Sequence, residues 1–194
     1  HPPGRDAGPT AEGGRGAAYV GLGPIAEVRY FTDADAALVG GDGGTLQDVA
    51  GAGDVNGDGF DDVLVGIPFV DAGPHEWVGE VLLFHGPVAG QYAPSDAVAK
   101  LFGEYGGGAG IHLSGAGDVN DDGVSDIMVG MPWSSTTADR NGALYVVLGP
   151  LSGTSGLANA DFRFDGEAAG DGAGIPASAG DFDGDGFDDL VVGA

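Results

Sequence analysis

Three nine-residue segments share the pattern D-x-[ND]-x-D-G-x-x-D: Asp54 to Asp62, Asp118 to Asp126 and Asp181 to Asp189. Oxygen donors at alternate positions of a tight loop suit Ca²⁺, a hard cation that takes about 6–8 oxygens at roughly 2.3–2.6 Å. Positions 1, 3, 5 and 9 supply side-chain oxygens, and position 7 supplies a backbone carbonyl. The expected ligands are Asp54, Asn56, Asp58, Phe60 and Asp62 in the first loop. Those of the second are Asp118, Asn120, Asp122, Val124 and Asp126, and those of the third are Asp181, Asp183, Asp185, Phe187 and Asp189. Three Ca²⁺ sites are expected. An EF-hand needs a bidentate glutamate at position 12, where this chain has Val65, Val129 and Val192, so the loops belong to another architecture. Asp, Asn and Gly also form ordinary turns, but three copies that keep every donor position argue against that reading.

Short apolar runs follow each loop: Val63 to Val65, Ile127 to Val129 and Leu190 to Val192, each ending at glycine. Branched residues in runs this short read as buried strands, which makes each acidic loop the turn of a β-hairpin. A second marker sets the period. Residues 16–24, 79–87 and 142–150 match with steps of 63, each ending Gly-Pro. Leu38-Val39-Gly40, Leu101-Phe102-Gly103 and Phe164-Asp165-Gly166 step by 63 as well, whereas the loops step by 64 and then 63. One extra residue therefore lies between Gly103 and Asp118, where a surface turn is expected. A period of this order signals propellers or solenoids, and about four strand candidates per period suit a propeller blade.

The unit resembles the FG-GAP repeat of integrin alpha-subunit propellers and their bacterial relatives, named for a Phe-Gly pair and a later Gly-Ala-Pro. The first element is carried by Phe102-Gly103 or Tyr105-Gly106. The second is carried by Gly66-Ile67-Pro68, Gly130-Met131-Pro132 and Gly193-Ala194. The resemblance covers roughly residues 16 to 194. It implies an all-β fold of propeller blades, each a four-stranded antiparallel sheet, with about three repeats and one blade split between the two termini. It also implies an extracellular or cell-surface module that binds proteins or glycans.

Expected boundaries follow from the repeat. Residues 1–15 form a Pro/Gly-rich tail, 16–24 the last strand of a split blade, 25–87 and 88–150 two complete units, and 151–194 the first three strands of another. Propellers have about four to eight blades, so three blades do not make a closed monomer. Either the strand near Tyr19 to Leu22 completes the unfinished sheet of a second molecule, giving a dimer or filament, or further blades belong to a longer chain. A start at His1 rather than Met fits a removed signal peptide or a fragment.

Composition narrows the function classes. With a net charge of -24 and only 6 Lys or Arg, the chain lacks the basic surface that neutralises phosphates, which excludes nonspecific nucleic-acid binding. Thirteen of the 30 acidic residues lie in the three loops. No stretch reaches the ~20 apolar residues of a membrane span. The 41 Gly and 11 Pro resemble a disordered composition, but 42% hydrophobic content in short runs supplies a packed β core. No cysteine is present, so the redox compartment stays open.

Catalysis lacks a constellation. His1, His75, His85 and His112 fall singly, and no nucleophile has a base beside it. Trp77, Trp133 and Tyr105 stand in inter-strand loops, where they either pack or grip a ligand. The leading reading is a noncatalytic calcium-binding adhesion module. Its rivals are a structural subunit of an extracellular fibre or surface layer, and an accessory propeller of a secreted hydrolase or lyase.

Overall fold

The computed structural model describes residues 16–24, 30–40, 45–71, 77–104 and 106–194. The expected tail at 1–15, together with Tyr105, His1 and His75, lies outside the described residues. The fold is all-β. Among the described residues the strands are β1 (Ala17–Val20), β2 (Ala36–Val39), β3 (Asp48–Gly53), β4 (Asp62–Ile67), β5 (Glu80–Phe84), β6 (Gly90–Tyr92), β7 (Ala99–Phe102), β8 (His112–Gly117), β9 (Asp126–Met131), β10 (Ala143–Val147), β11 (Gly153–Gly156), β12 (Phe162–Asp165), β13 (Ile175–Gly180) and β14 (Asp189–Gly193).

Two propeller-like blades have four antiparallel strands each, in the orders β3-β4-β5-β7 and β8-β9-β10-β12. Two half-blades flank them: β1 pairs with β2 on one side and β13 with β14 on the other. The hydrogen-bonded sheets are thus out of phase with the sequence units at 25–87 and 88–150. The strand ending near Leu38 pairs with β1 across a longer connection than the one leading on to β3, and β3 starts a new sheet. Of the strands between 151 and 194, β12 joins β10, and only β13 and β14 form a sheet of their own.

Two strands carry no apolar run in the sequence. β6 pairs in parallel with β2, and β11 pairs in parallel with β7, so each connection out of a blade's third strand covers the outer edge of the preceding blade. An outer strand without such cover would expose a row of unpaired backbone groups. The matching 3₁₀ turns at Phe31–Asp33, Pro94–Asp96 and Leu157–Asn159 repeat at the same 63-residue step.

Alternation within each strand explains the continuous apolar runs. In β4 and β5, Val65, Ile67, Leu82 and Phe84 pack back against Ala18, Ala36 and Leu38, whereas Leu64, Val81 and Leu83 pack forward against Ile127, Val129, Met131 and Tyr145. β9 and β10 repeat the arrangement, with Met128, Leu144 and Val146 facing forward to Leu190. Strands buried on both faces must be apolar at every position. The inner strands follow one another in space, β8 lying against β3 on one side and β13 on the other.

Candidate metal centre

Each acidic loop bridges the first two strands of a blade, β3–β4, β8–β9 and β13–β14, as the sequence implies. The first carboxylate of each loop gathers the backbone amides that curl around it. Asp54 Oδ1 accepts from Gly57 N at 2.7 Å and Asp58 N at 3.1 Å, and its Oδ2 accepts from Gly59 N at 2.8 Å. Asp118 accepts from Asp122 N at 3.0 Å and Gly123 N at 2.8 Å. Asp181 accepts from Gly184 N, Asp185 N and Gly186 N at 2.7, 3.0 and 3.1 Å. The Gly59 amide, followed by those of Gly57, Asp58 and Asn56, holds the Asp54 carboxyl below its ordinary pKa against a smaller opposing effect of desolvation.

The residues at positions 3 and 5 converge beside it. Asn56 Nδ2 donates to Asp58 Oδ2 at 2.9 Å, and Asn120 Nδ2 donates to Asp122 Oδ2 at the same 2.9 Å. Phe60, Val124 and Phe187 donate their amides to Asp58, Asp122 and Asp185. Positions 5, 6 and 7 therefore turn as one hairpin. Gly59, Gly123 and Gly186 occupy position 6 at φ of 91°, 91° and 100°, a region side chains resist.

In the third loop the carboxylates of Asp181, Asp183 and Asp189 lie within 4.8 Å of one another. Three like charges this close repel unless a cation joins them. The donor set is all oxygen and carboxylate-rich, which fits Ca²⁺ in the position that the three side chains surround.

The ninth residue has a second task that its spacing does not reveal. Asp62 is 1% exposed and Asp126 0%, and each accepts two backbone hydrogen bonds. Asp62 Oδ2 takes Val55 N at 3.0 Å and Oδ1 takes Gly86 N at 2.8 Å; Asp126 takes Val119 N at 2.9 Å and Gly149 N at 2.8 Å. These carboxylates fasten the loop to the Gly-Pro end of the blade's third strand. Burial, with some help from the charges of Asp122 and Asp118, pushes the Asp126 carboxyl above its ordinary pKa, while the two amides oppose the shift. Asp189 keeps the first of these bonds, from Phe182 N at 2.8 Å.

At the opposite end of the strands, Trp77 and Trp133 line one open pocket of about 330 Å³ with Ser135, Asp139 and Arg140. Phe69 stacks on Trp133 with ring centroids 5.9 Å apart. Trp77 and Arg140 both have positive φ, 56° and 49°. Of the two histidines among the described residues, His85 has a buried Nε2 without a hydrogen-bond partner, and His112 stands at the start of β8.

Comparison with known proteins agrees with this architecture. The FG-GAP repeat model matches residues 48–84 and 176–194, beginning at β3 and again within β13. Integrin alpha-PS5 of Drosophila melanogaster is 34% identical over 146 residues, 73% of this chain and 14% of the relative. Integrin alpha pat-2 of Caenorhabditis elegans is 32% identical over 160 residues, again 73% of this chain and 12% of the relative. Integrin alpha-8 of Gallus gallus is 33% identical over 152 residues. The chain thus spans about one-eighth of the length of these relatives. Loops of matching spacing, four-stranded blades and these similarities together place the chain in the FG-GAP repeat, integrin alpha-like family.

Proposed function

We propose that this chain is a noncatalytic, extracellular adhesion module whose blades are locked by Ca²⁺ in three hairpin loops. The observation that carries the reading is the triad Asp181, Asp183 and Asp189, gathered within 4.8 Å in a loop whose spacing is repeated twice more. In each loop the side chains at positions 1, 3, 5 and 9 and the carbonyl at position 7 would hold the ion. Bound calcium cancels repulsion among carboxylates and so stabilises the folded state over the unfolded one. The relatives are integrin alpha chains, which supports an adhesive role at the cell surface.

Ligand binding is assigned to the loop face that carries Trp77, Trp133 and Arg140. Flat aromatic rings beside a guanidinium and a carboxylate suit a protein side chain or a sugar ring. Glycan-array and protein-array binding by the wild-type chain, lost in W133A, tests this assignment; binding unchanged in W77A/W133A contradicts it.

A second reading, self-association, is favoured by the two half-blades. By the 63-residue step, β1 and β2 correspond to β5 and β7, and β13 and β14 correspond to β3 and β4. If β14 of one molecule pairs with β1 of another as β9 pairs with β10, Val192 faces Tyr19 and Val191 faces Val20. The pairing covers Val191 and Val192, 55% and 38% exposed. Light scattering in millimolar calcium decides this reading: a dimer or polymer supports it and a monomer contradicts it.

A further inference from the structure

The eighth residues of loops 2 and 3, Ser125 and Asp188, are not ligand positions, yet each reaches the loop of the preceding blade. Ser125 N donates to Asp54 O at 2.8 Å, and Asp188 N donates to Asp118 O at 3.1 Å. Asp188 adds a second bond, because its Oδ2 accepts from Asp118 N at 2.9 Å. Both backbone polar groups of Asp118, the first ligand position of loop 2, are thus held by one residue of loop 3. That residue is covalently joined to Asp189, the last ligand position of loop 3. The site is shaped for it: Gly117, at φ 75°, lies where any Cβ would collide with the Asp188 carboxylate. Gly53 leaves the same space, filled by the smaller Ser125.

We propose that Asp188 is a positioning residue that couples the calcium loops of adjacent blades, so that filling loop 3 raises the affinity of loop 2. The inference rests on the calcium reading above. Closing loop 3 around an ion fixes Asp189 and with it Asp188, and Asp188 then holds the backbone of Asp118 in the orientation its carboxylate needs. The ordering cost that loop 2 meets on binding is lowered in advance. Reciprocity requires loop 2 to favour loop 3 by the same factor. Between loops 1 and 2 the coupling is weaker, since Ser125 contributes the backbone bond without a carboxylate. Asp61, the equivalent residue of loop 1, makes no side-chain hydrogen bond among the described residues and provides an internal control.

Calorimetric calcium titration of the whole chain tests the coupling. The D58A variant leaves loops 2 and 3, and D58A/D185A leaves loop 2 alone. Loop 2 is expected to bind roughly five- to tenfold more weakly once loop 3 is disabled, the size of one net hydrogen bond. D188A should produce the same loss with loop 3 intact, and adding D185A to it should cost loop 2 nothing more, as a double-mutant cycle requires. D188N, which keeps an acceptor oxygen, should retain most of the affinity, and D61A should change nothing at loop 2. Should D188A fail to fold, the D185A comparison decides alone. A loop 2 constant indifferent to D185A overturns the coupling and leaves the calcium reading standing; a wild-type chain that takes up no calcium overturns both.

Discussion

Tyr145 donates its hydroxyl hydrogen to Glu104 Oε2 at 2.9 Å, tying β10 of one blade to the segment that follows β7 of the blade before it. Tyr145 is 1% exposed and Glu104 is half-buried, so the bond is partly shielded from water. Burial, and next the Glu104 carboxylate, push the phenol well above its ordinary pKa. A folded-state pKa raised above the unfolded value of about 10 gives stability that is complete below pH 10 and lost as pH rises further. Tyr145→Phe should cost about 1–2 kcal/mol at neutral pH and should flatten the alkaline decline. Urea unfolding of both proteins at pH 8 and above pH 10 checks this, and parallel declines would contradict it.

The buried Asp126 carries a structural load that is independent of any ion. Asp126→Ala removes the acceptor for Val119 N and Gly149 N together, and should cost about 3 kcal/mol even in excess chelator. Chemical denaturation in EDTA gives the answer. Equal stability of variant and wild type under those conditions would confine Asp126 to metal binding.

Gly66 and Gly130, the first residues of the two Gly-x-Pro segments, face the next blade. A Cβ at Gly66 would collide with the backbone carbonyl of Gly110, and one at Gly130 with that of Gly174. Neither carbonyl can yield without moving its blade. Gly130→Ala should therefore destabilise by about 2–3 kcal/mol through overpacking, while Gly51→Ala, which meets open space, should be tolerated. Thermal melts of the pair distinguish a packing role from a merely conformational one.

Much of this architecture is readable in the sequence because its signals are local. Each acidic loop announces itself by oxygen donors at alternate positions, and β4, β9 and β14 by unbroken apolar runs after it. What escapes is long-range. β6 and β11 consist of Gly-Gln-Tyr and Gly-Thr-Ser-Gly, without an apolar run, and become strands only because the outer edges of β2 and β7 lie beside them. The phase of the blades depends on whether the Leu38 strand pairs with β1 or with β3, which spacing leaves undecided. The double use of Asp62 and Asp126 also needs Gly86 and Gly149, 24 and 23 residues away. Only the identical offset of the Gly-Pro pairs hinted at that link.

Glu80 is 8% exposed, and its nearest cation is Lys100 Nζ at 3.7 Å. Burial pushes its carboxyl above the ordinary value, with Lys100 partly opposing the shift. The raised folded-state pKa gives stability that is complete below the unfolded value of about 4.3 and lost as pH climbs through the folded one. Glu80→Gln should match the wild type near pH 4 and exceed it at pH 7. Urea titrations at the two pH values check the crossover; a variant that loses ground as pH rises would reverse the sign.

Whether calcium stabilises the fold is decided by one calorimetric experiment: calcium titration into the chelator-treated chain, followed by melting with and without the ion. Three equivalents should bind, the third loop most tightly because it offers four side-chain carboxylates where the others offer three. The melting temperature should rise as calcium exceeds its dissociation constant, by the energy of about 2.7 kcal/mol per site at a hundredfold excess. Absence of binding heat, together with a melting temperature unchanged between millimolar calcium and excess chelator, would contradict the account.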